Sequence, residues 1–426
     1  MCNIPASASG RNPKSGTCIT GLDATDKIYL LKASNTSDFY AYNLAENTWY
    51  ELEPIPKGLK ETGDGRNPKH GAAIAAYEPN KSVYILRGNN TLGFWKYQAD
   101  TVAGIDTIGW KKLANIPRKY KRCKYKAGLA AVTKHSIDYL FCMKGAKTNE
   151  FYLYDIAQDT WLEVKSPTTG FRGKTGYKKG SCLCYDGTEY VYVLQGYYGA
   201  FFKYHIESDS WIKLDRYYYR TYLNRDGRRK KPKGGAALLY YNNKVYMLKG
   251  GNTSEVWRYS VTTDTWTQMS ESWDIPLGPT GKKKVKDGGS MIKFGHFFYA
   301  TKGNNNPEFY RHFLPPYEAV ELVKSTKAAE GITGNWTEIN NFFLSITPNP
   351  VNNAAVVEYS LPVPGPVHIK LYDVSGKLVK SYNNLNPTQK GIYLIDCKKL
   401  PSGIYLLRFE SNEIKVTRKI VFAKGE

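Results

Sequence analysis

The chain has 426 residues, of which 60 are Lys or Arg and 38 are Asp or Glu, for a formal charge of +22. Its 35 Tyr, 38 Gly and 21 Pro beside only 5 Met suit many short strands joined by tight turns, and are a poor mixture for helices. Apolar residues make up 42%, which supports a sizeable core and excludes global disorder, and no apolar run approaches the roughly 18 residues of a membrane helix.

The N-terminus, Met1-Cys2-Asn3-Ile4-Pro5, has neither a basic head nor an apolar stretch and does not read as a signal peptide. Residues 1–11 are set aside as a tail. From residue 12 a unit of about 55 residues recurs. The triplet Lys-x-Gly marks it at Lys14-Ser15-Gly16, Lys69-His70-Gly71, Lys126-Ala127-Gly128, Lys178-Lys179-Gly180, Lys233-Gly234-Gly235 and Lys286-Asp287-Gly288, with spacings of 55, 57, 52, 55 and 53. A small-apolar strand follows each triplet. A second strand ends in a cation and a turn, as in Leu86-Arg87-Gly88-Asn89, so that Lys32, Arg87, Lys144, Lys249 and Lys302 recur, with Gln195 in the fourth unit. A third strand carries paired aromatics, and a turn plus Trp49, Trp110, Trp161, Trp211 or Trp266 closes the unit. The units lie near 12–56, 66–117, 124–167, 176–215, 231–276 and 284–339. In the last, 313–333 reads as an insertion and Trp336 as the outer-strand Trp.

Four short strands per repeat of this length describe a propeller blade. These motifs resemble the kelch family, whose repeat runs apolar strand, Gly-Gly, Tyr, then Trp. The sequence departs from it where a cation or Gln195 replaces the first Gly of the pair. The resemblance covers residues 12–340 and implies an all-β fold, a six-bladed kelch-like β-propeller.

Past residue 341 the pattern changes. Pro348-Asn349-Pro350, Tyr372-Asp373-Val374-Ser375-Gly376-Lys377-Leu378-Val379, Pro401-Ser402-Gly403-Ile404-Tyr405 and a basic last strand alternate apolar residues between turns, as in a small Ig-like β-sandwich. The four motifs, in this order, resemble the C-terminal sorting domain (type A) of the bacterial type IX secretion system. That resemblance implies delivery to the cell surface or medium, with residues 344–426 engaging outer-membrane secretion machinery. It also implies an N-terminal export signal, which this N-terminus does not show.

Charge is concentrated in five links between units. Residues 56–69, 117–126, 172–179, 216–233 and 279–286 carry +2, +6, +4, +7 and +4, together slightly more than the +22 of the whole chain. In an up-and-down blade these links share one face with the turns between second and third strands. The expected binding face therefore holds Lys14, Lys69, Lys126, Lys178, Lys233 and Lys286 around the central mouth, and Arg87, Lys144, Lys249 and Lys302 beside them. Arg228, Arg229, Lys230 and Lys231 stand in the most basic link with Tyr217, Tyr218 and Tyr219. Such a face attracts polyanions, and its phenol rings can stack sugars or bases. The expected partner is an anionic glycan or other polyanion, bound by a monomer. The bland alternative, in which Lys-x-Gly lysines only solvate a rim, does not account for the long 117–126 and 216–233 links.

Catalytic signals are missing. The six His show no metal-ligand spacing, the seven Cys include no Cys-x-x-Cys pair, and no cofactor or metal is expected. Most of the Cys read as small buried apolar residues. Glu61, Asp64, Asp215, Asp226 and Asp287 are the acids near the basic face. Two of them would be needed for a polysaccharide lyase or hydrolase, the alternative to a binder, and a structural surface protein is the third reading.

Overall fold

The computed structural model describes residues 1–426 except 7–9, 60–63, 103–107, 168–175, 215–222, 279–282, 296, 315–342, 348–350, 352–353, 362–364, 386–389, 398–399, 412–413 and 423–426. The chain forms two units, Met1–Leu314 and Pro315–Glu426. Among the described residues no helix is long and apolar enough to cross a membrane.

The first unit is built of antiparallel sheets resembling propeller blades, each with its strands in chain order. The first sheet comprises Cys18–Leu22, Lys27–Leu31, Phe39–Asn43 and Thr48–Leu52. Four further four-stranded sheets follow, and a sheet of three described strands, Ser290–Phe294, Phe297–Thr301 and Phe309–Phe313. Their first strands, Cys18–Leu22, Ala73–Tyr77, Gly128–Lys134, Cys182–Tyr185, Ala237–Tyr241 and Ser290–Phe294, neighbour one another in that order, and the last neighbours the first. One backbone hydrogen bond is repeated around this cycle. The turn after each second strand donates an N–H to the carbonyl just before the next sheet's first turn: Asn35 to Pro68, Asn90 to Cys123, Lys147 to Tyr177, Tyr197 to Pro232, Asn252 to Val285 and Asn305 to Pro13, all at 2.8–2.9 Å.

Burial explains the strand sequences. The second strand has neighbours on both edges and both faces, so Ser82–Leu86 is buried at every position, whereas outer strands such as Thr160–Val164 are mostly exposed. Each outer-strand Trp wedges between sheets. Trp49 packs on Tyr42 and on Phe309 of the last sheet, Trp110 on Tyr97 and Phe39, Trp161 on Tyr154 and Phe94, Trp211 on Tyr204 and Phe151, and Trp266 on Tyr259 and Phe201. Ring centroids are 4.9–5.4 Å apart, within the range where aromatic pairs add stability beyond their area. The turn before the Trp is explained by the same Tyr. Its hydroxyl donates to Asn47, Asp159, Asp209 or Asp264 at 2.6–2.7 Å, and these residues sit at φ of +49° to +53°, which Asn and Asp tolerate. The sixth such Trp expected, Trp336, lies outside the described residues. Trp273, from the segment between the fifth and sixth sheets, instead packs on His312 with ring centroids 4.3 Å apart, where the other sheets have the Tyr.

Residues 2–6 are held as firmly as an interior link. Ile4 is 2% exposed, its N–H donates to the Pro307 carbonyl, and the Trp49 indole donates to the Cys2 carbonyl. Six of the seven Cys are buried, only Cys2 is exposed, and none is bridged.

The second unit has two antiparallel sheets. One contains Phe343–Thr347, Ala354–Ser360 and Lys390–Asp396, and the other Leu378–Leu385, Val367–Asp373, Gly403–Ser411 and Ile414–Phe422 in that spatial order. Val357, Tyr359 and Ile395 from the first share one core with Ile369, Leu371, Leu407, Phe409 and Ile420 from the second.

Candidate functional site

The second-strand cations do not reach a surface, which corrects their expected place on the binding face. Lys32, Arg87, Lys144, Lys249 and Lys302 are all 0% exposed. Lys144 pairs with Glu150 at 2.6 Å, Lys249 with Glu255 at 2.9 Å, Lys302 with Glu308 and Lys32 with Asp38. The acid stands six residues after the cation in each case. An aromatic stands eight after it, and the cation lies over that ring: Tyr40, Trp95, Tyr152, Trp257 and Tyr310, at 5.1–5.8 Å. Arg87 differs because Gly93 occupies the acid's place. The carboxylate of Asp64 fills the room a Cβ at Gly93 would take, pairs with Arg87 and accepts from the Trp95 indole at 2.7 Å. Each cation also donates to a carbonyl of the preceding link, Lys144 to Pro117 and Lys249 to Leu223 at 2.6 Å, Lys302 to Leu277 at 2.9 Å, and Arg87 to Pro56. Buried charge demands such compensation. These residues clamp the links in place and are withdrawn from the candidate ligand contacts.

The Lys-x-Gly register is also corrected, in the third sheet. Gly16, Gly71, Gly180, Gly235 and Gly288 each lie two residues before a first strand with φ between +81° and +94°. A Cβ on any of them would overlap the backbone of the next sheet's lysine: Lys69, Lys124, Lys233, Lys286 and Lys14 respectively. The third first strand begins at Gly128, so Lys126 stands where the others have glycine and Lys124 is the repeat lysine. The left-handed residue there is Tyr125, at +67°.

The middle residues of the triplets meet at the mouth of the central channel. Ser15, His70, Tyr125, Lys179, Gly234 and Asp287 line it together with Lys126. Lys179 pairs with Asp287 at 2.8 Å past Gly234, whose missing side chain leaves room for the carboxylate. Burial and then the charges of Lys179 and Lys69 push the His70 imidazole below its ordinary range.

Exposed and half-buried cations gather around tyrosines at two places. Beside the third sheet, Arg118, Lys121, Arg122, Lys124 and Lys147 line an open cavity of about 550 Å³ with Tyr120, Tyr125, Asn90 and Ala146, and its lining includes no carboxylate. Lys147 and Lys124 lie over the Tyr125 ring at 4.9 and 5.6 Å. A hydrogen bond from Lys147 and the charges of Lys147, Lys124 and Lys121 hold the Tyr125 phenol below its usual range. Around the fourth sheet's turn, Lys178, Lys231 and Lys233 lie over Tyr197 at 5.1–5.3 Å, and Lys178 also over Tyr198 at 4.7 Å. Lys14, Lys233, Lys286, Arg228 and Arg229 are exposed, and Lys69, Lys126, Lys178, Lys230 and Lys231 are half-buried. Tyr217, Tyr218 and Tyr219 lie outside the described residues.

Among the described residues the candidate acids are not assembled into a catalytic pair. Asp64 is buried against Arg87, Asp287 is paired with Lys179, Asp226 is exposed, and Glu61 and Asp215 lie outside the described residues. Among the described residues no group of three His, Cys, Asp or Glu could hold a metal ion.

No curated protein matches the chain significantly in sequence. Similar solved structures include YjhT (11% identity, TM-score 0.46, 72% of this chain and 96% of that one). They also include PorZ, a surface component of the type IX secretion system of Porphyromonas gingivalis (10%, 0.40, 95% and 59%) and the Aleuria aurantia lectin (8%, 0.42, 73% and 99%). At these TM-scores none of them bears on function. Residues 345–423 match the family described as the secretion system C-terminal sorting domain, and the chain is accordingly a secreted or cell-surface protein.

Proposed function

We propose that the chain is a surface-delivered binder of an anionic ligand, an acidic glycan or other polyanion, held on the basic, Tyr-rich face of its first unit. In this reading residues 12–340 form a six-bladed kelch-like propeller. Residues 341–426 form an Ig-like sandwich that engages the outer-membrane secretion machinery, and the protein works as a monomer. The observation that carries the proposal is the gathering of cations over phenol rings at Tyr125 and Tyr197. Cations in this number raise the local concentration of a polyanion, and the phenol hydroxyls beside them add hydrogen-bonding groups. Replacing Arg228, Arg229, Lys230 and Lys231 by Ser should leave the melting temperature nearly unchanged, since the first two are exposed, the last two half-buried, and charges so placed contribute little to folding. Elution from a heparin column should move to lower salt, with a shallower dependence of affinity on salt, because fewer counterions are released. A parent protein that heparin does not retain at physiological salt refutes the proposal.

A further inference from the structure

Resting on that reading of the basic face, we propose that the specific site is confined to the third sheet and takes an acidic saccharide of at least two residues. One anionic sugar occupies the cavity beside Lys121, Arg122, Lys124 and Lys147, and the next lies across Tyr125 toward Lys126 and Lys179 at the channel mouth.

The break in the repeat carries the argument. Five sheets meet the mouth with a glycine at positive φ, and only the third replaces it, by Lys126, transferring the left-handed conformation to Tyr125. A bulky residue at positive φ is strained, and strain of this kind persists where the surrounding structure enforces it and often marks a site. Here it places Tyr125 in the lining of both the 550 Å³ cavity and the mouth. The volume falls within the range of small-ligand sites, and five cations without a carboxylate fix the sign of the ligand. The rings select its class. Bases of single-stranded nucleic acid bind by stacking on open aromatic faces. At Tyr125 the ring is attended by Lys124 and Lys147, and at Tyr120 by Lys119. Ammonium donors and phenol hydroxyls side by side suit the hydroxyl and carboxylate or sulfate groups of a sugar. The remaining cations of the face, Arg228 to Lys231 among them, steer the polymer without holding it.

Calorimetric titration of the whole chain with galacturonic acid, trigalacturonate and a carrageenan tetrasaccharide, which carries sulfate and no carboxylate, tests this. One of the two oligomers should bind at least about 10-fold more tightly than the monosaccharide, as expected for added charge-assisted contacts. Which one it is distinguishes a carboxylate from a sulfate source. Lys126→Gly, which installs the residue of the other five sheets, should keep the melting temperature and weaken the oligomer about 10-fold while leaving the monosaccharide unchanged. Tyr125→Asn, which tolerates positive φ, should weaken both the monosaccharide and the oligomer, since Tyr125 lines the cavity and the mouth, and the quadruple Ser variant of 228–231, which line neither, should weaken the oligomer less than Lys126→Gly does. Equal weakening by Lys126→Gly and the quadruple variant overturns the localised site and leaves the broader reading standing. Heparin retention with no binding of either oligomer has the same meaning, as does displacement of the oligomer by oligo-dT at lower concentration. No binding to any of these probes, heparin included, removes both readings.

Discussion

Lys249 sits at 0% exposure with its ammonium 2.9 Å from Glu255, 2.6 Å from the Leu223 carbonyl and over the Trp257 ring. Burial pushes its pKa down and Glu255 opposes that shift, so the carboxylate is what keeps the charge tolerable. Lys249→Met removes one partner only and should destabilise the first unit by about 3–5 kcal/mol, because Glu255 is left buried without its cation. The fourth sheet supplies the neutral alternative, with Gln195 in the cation place and Ala200, its partner across the sheet, in the acid place. Lys249→Gln with Glu255→Ala should therefore recover most of the loss, measured as the urea midpoint by tryptophan fluorescence. A double variant no more stable than the single would show that the pair is not the unit of stability. The sequence held this signal in plain form, with Lys32/Asp38/Tyr40, Lys144/Glu150/Tyr152, Lys249/Glu255/Trp257 and Lys302/Glu308/Tyr310 at constant spacing. Attention to the cation alone misplaces it on a surface. The partnership of Arg87 with Asp64 was beyond reach, because Gly93 breaks the spacing and the acid comes from a link 23 residues upstream.

At the scale of the element, the antiparallel four-stranded sheets, their strand order and the described Trp wedges were legible, because each strand's burial repeats with the sheet. The register of the third repeat was not, although spacing contained it. Counting from Lys124 gives 55, 55, 54, 55 and 53 residues between triplets, more uniform than the 55, 57, 52, 55 and 53 obtained from Lys126. The accidental Gly128 made a false triplet. The N-terminal segment was likewise legible in hindsight, since Ile-Pro at 4–5, 55–56, 116–117 and 275–276 donates its Ile N–H to the turn after a second strand each time. The geometry makes the glycine places unequal. Gly235→Ala puts a Cβ onto the Lys286 carbonyl at φ +90° and should destabilise by at least about 1–3 kcal/mol. Lys126→Gly at the matching place should be neutral in the same denaturation assay. Equal losses for the two would mean that the third sheet is not the exception.

Two units of different construction imply two separable tasks. The described segments of the first unit close its cycle among themselves, Asn305 bonding to Pro13 and Trp49 packing on Phe309. The second has its own core, from Leu344 to Phe422. The match to the sorting family falls entirely inside that unit. Deleting residues 344–426 should therefore leave the first unit folded, with its thermal transition and heparin retention unchanged, while delivery to the surface or medium of a host carrying this secretion system stops. Immunoblots of cell-surface, periplasmic and medium fractions read the second outcome, and calorimetry of the truncated chain reads the first. Undiminished delivery would mean that residues 344–426 do not supply the sorting signal in this chain. Loss of the first unit's transition on truncation would mean that its cycle of sheets is not self-sufficient, and that the missing delivery reports misfolding instead of sorting.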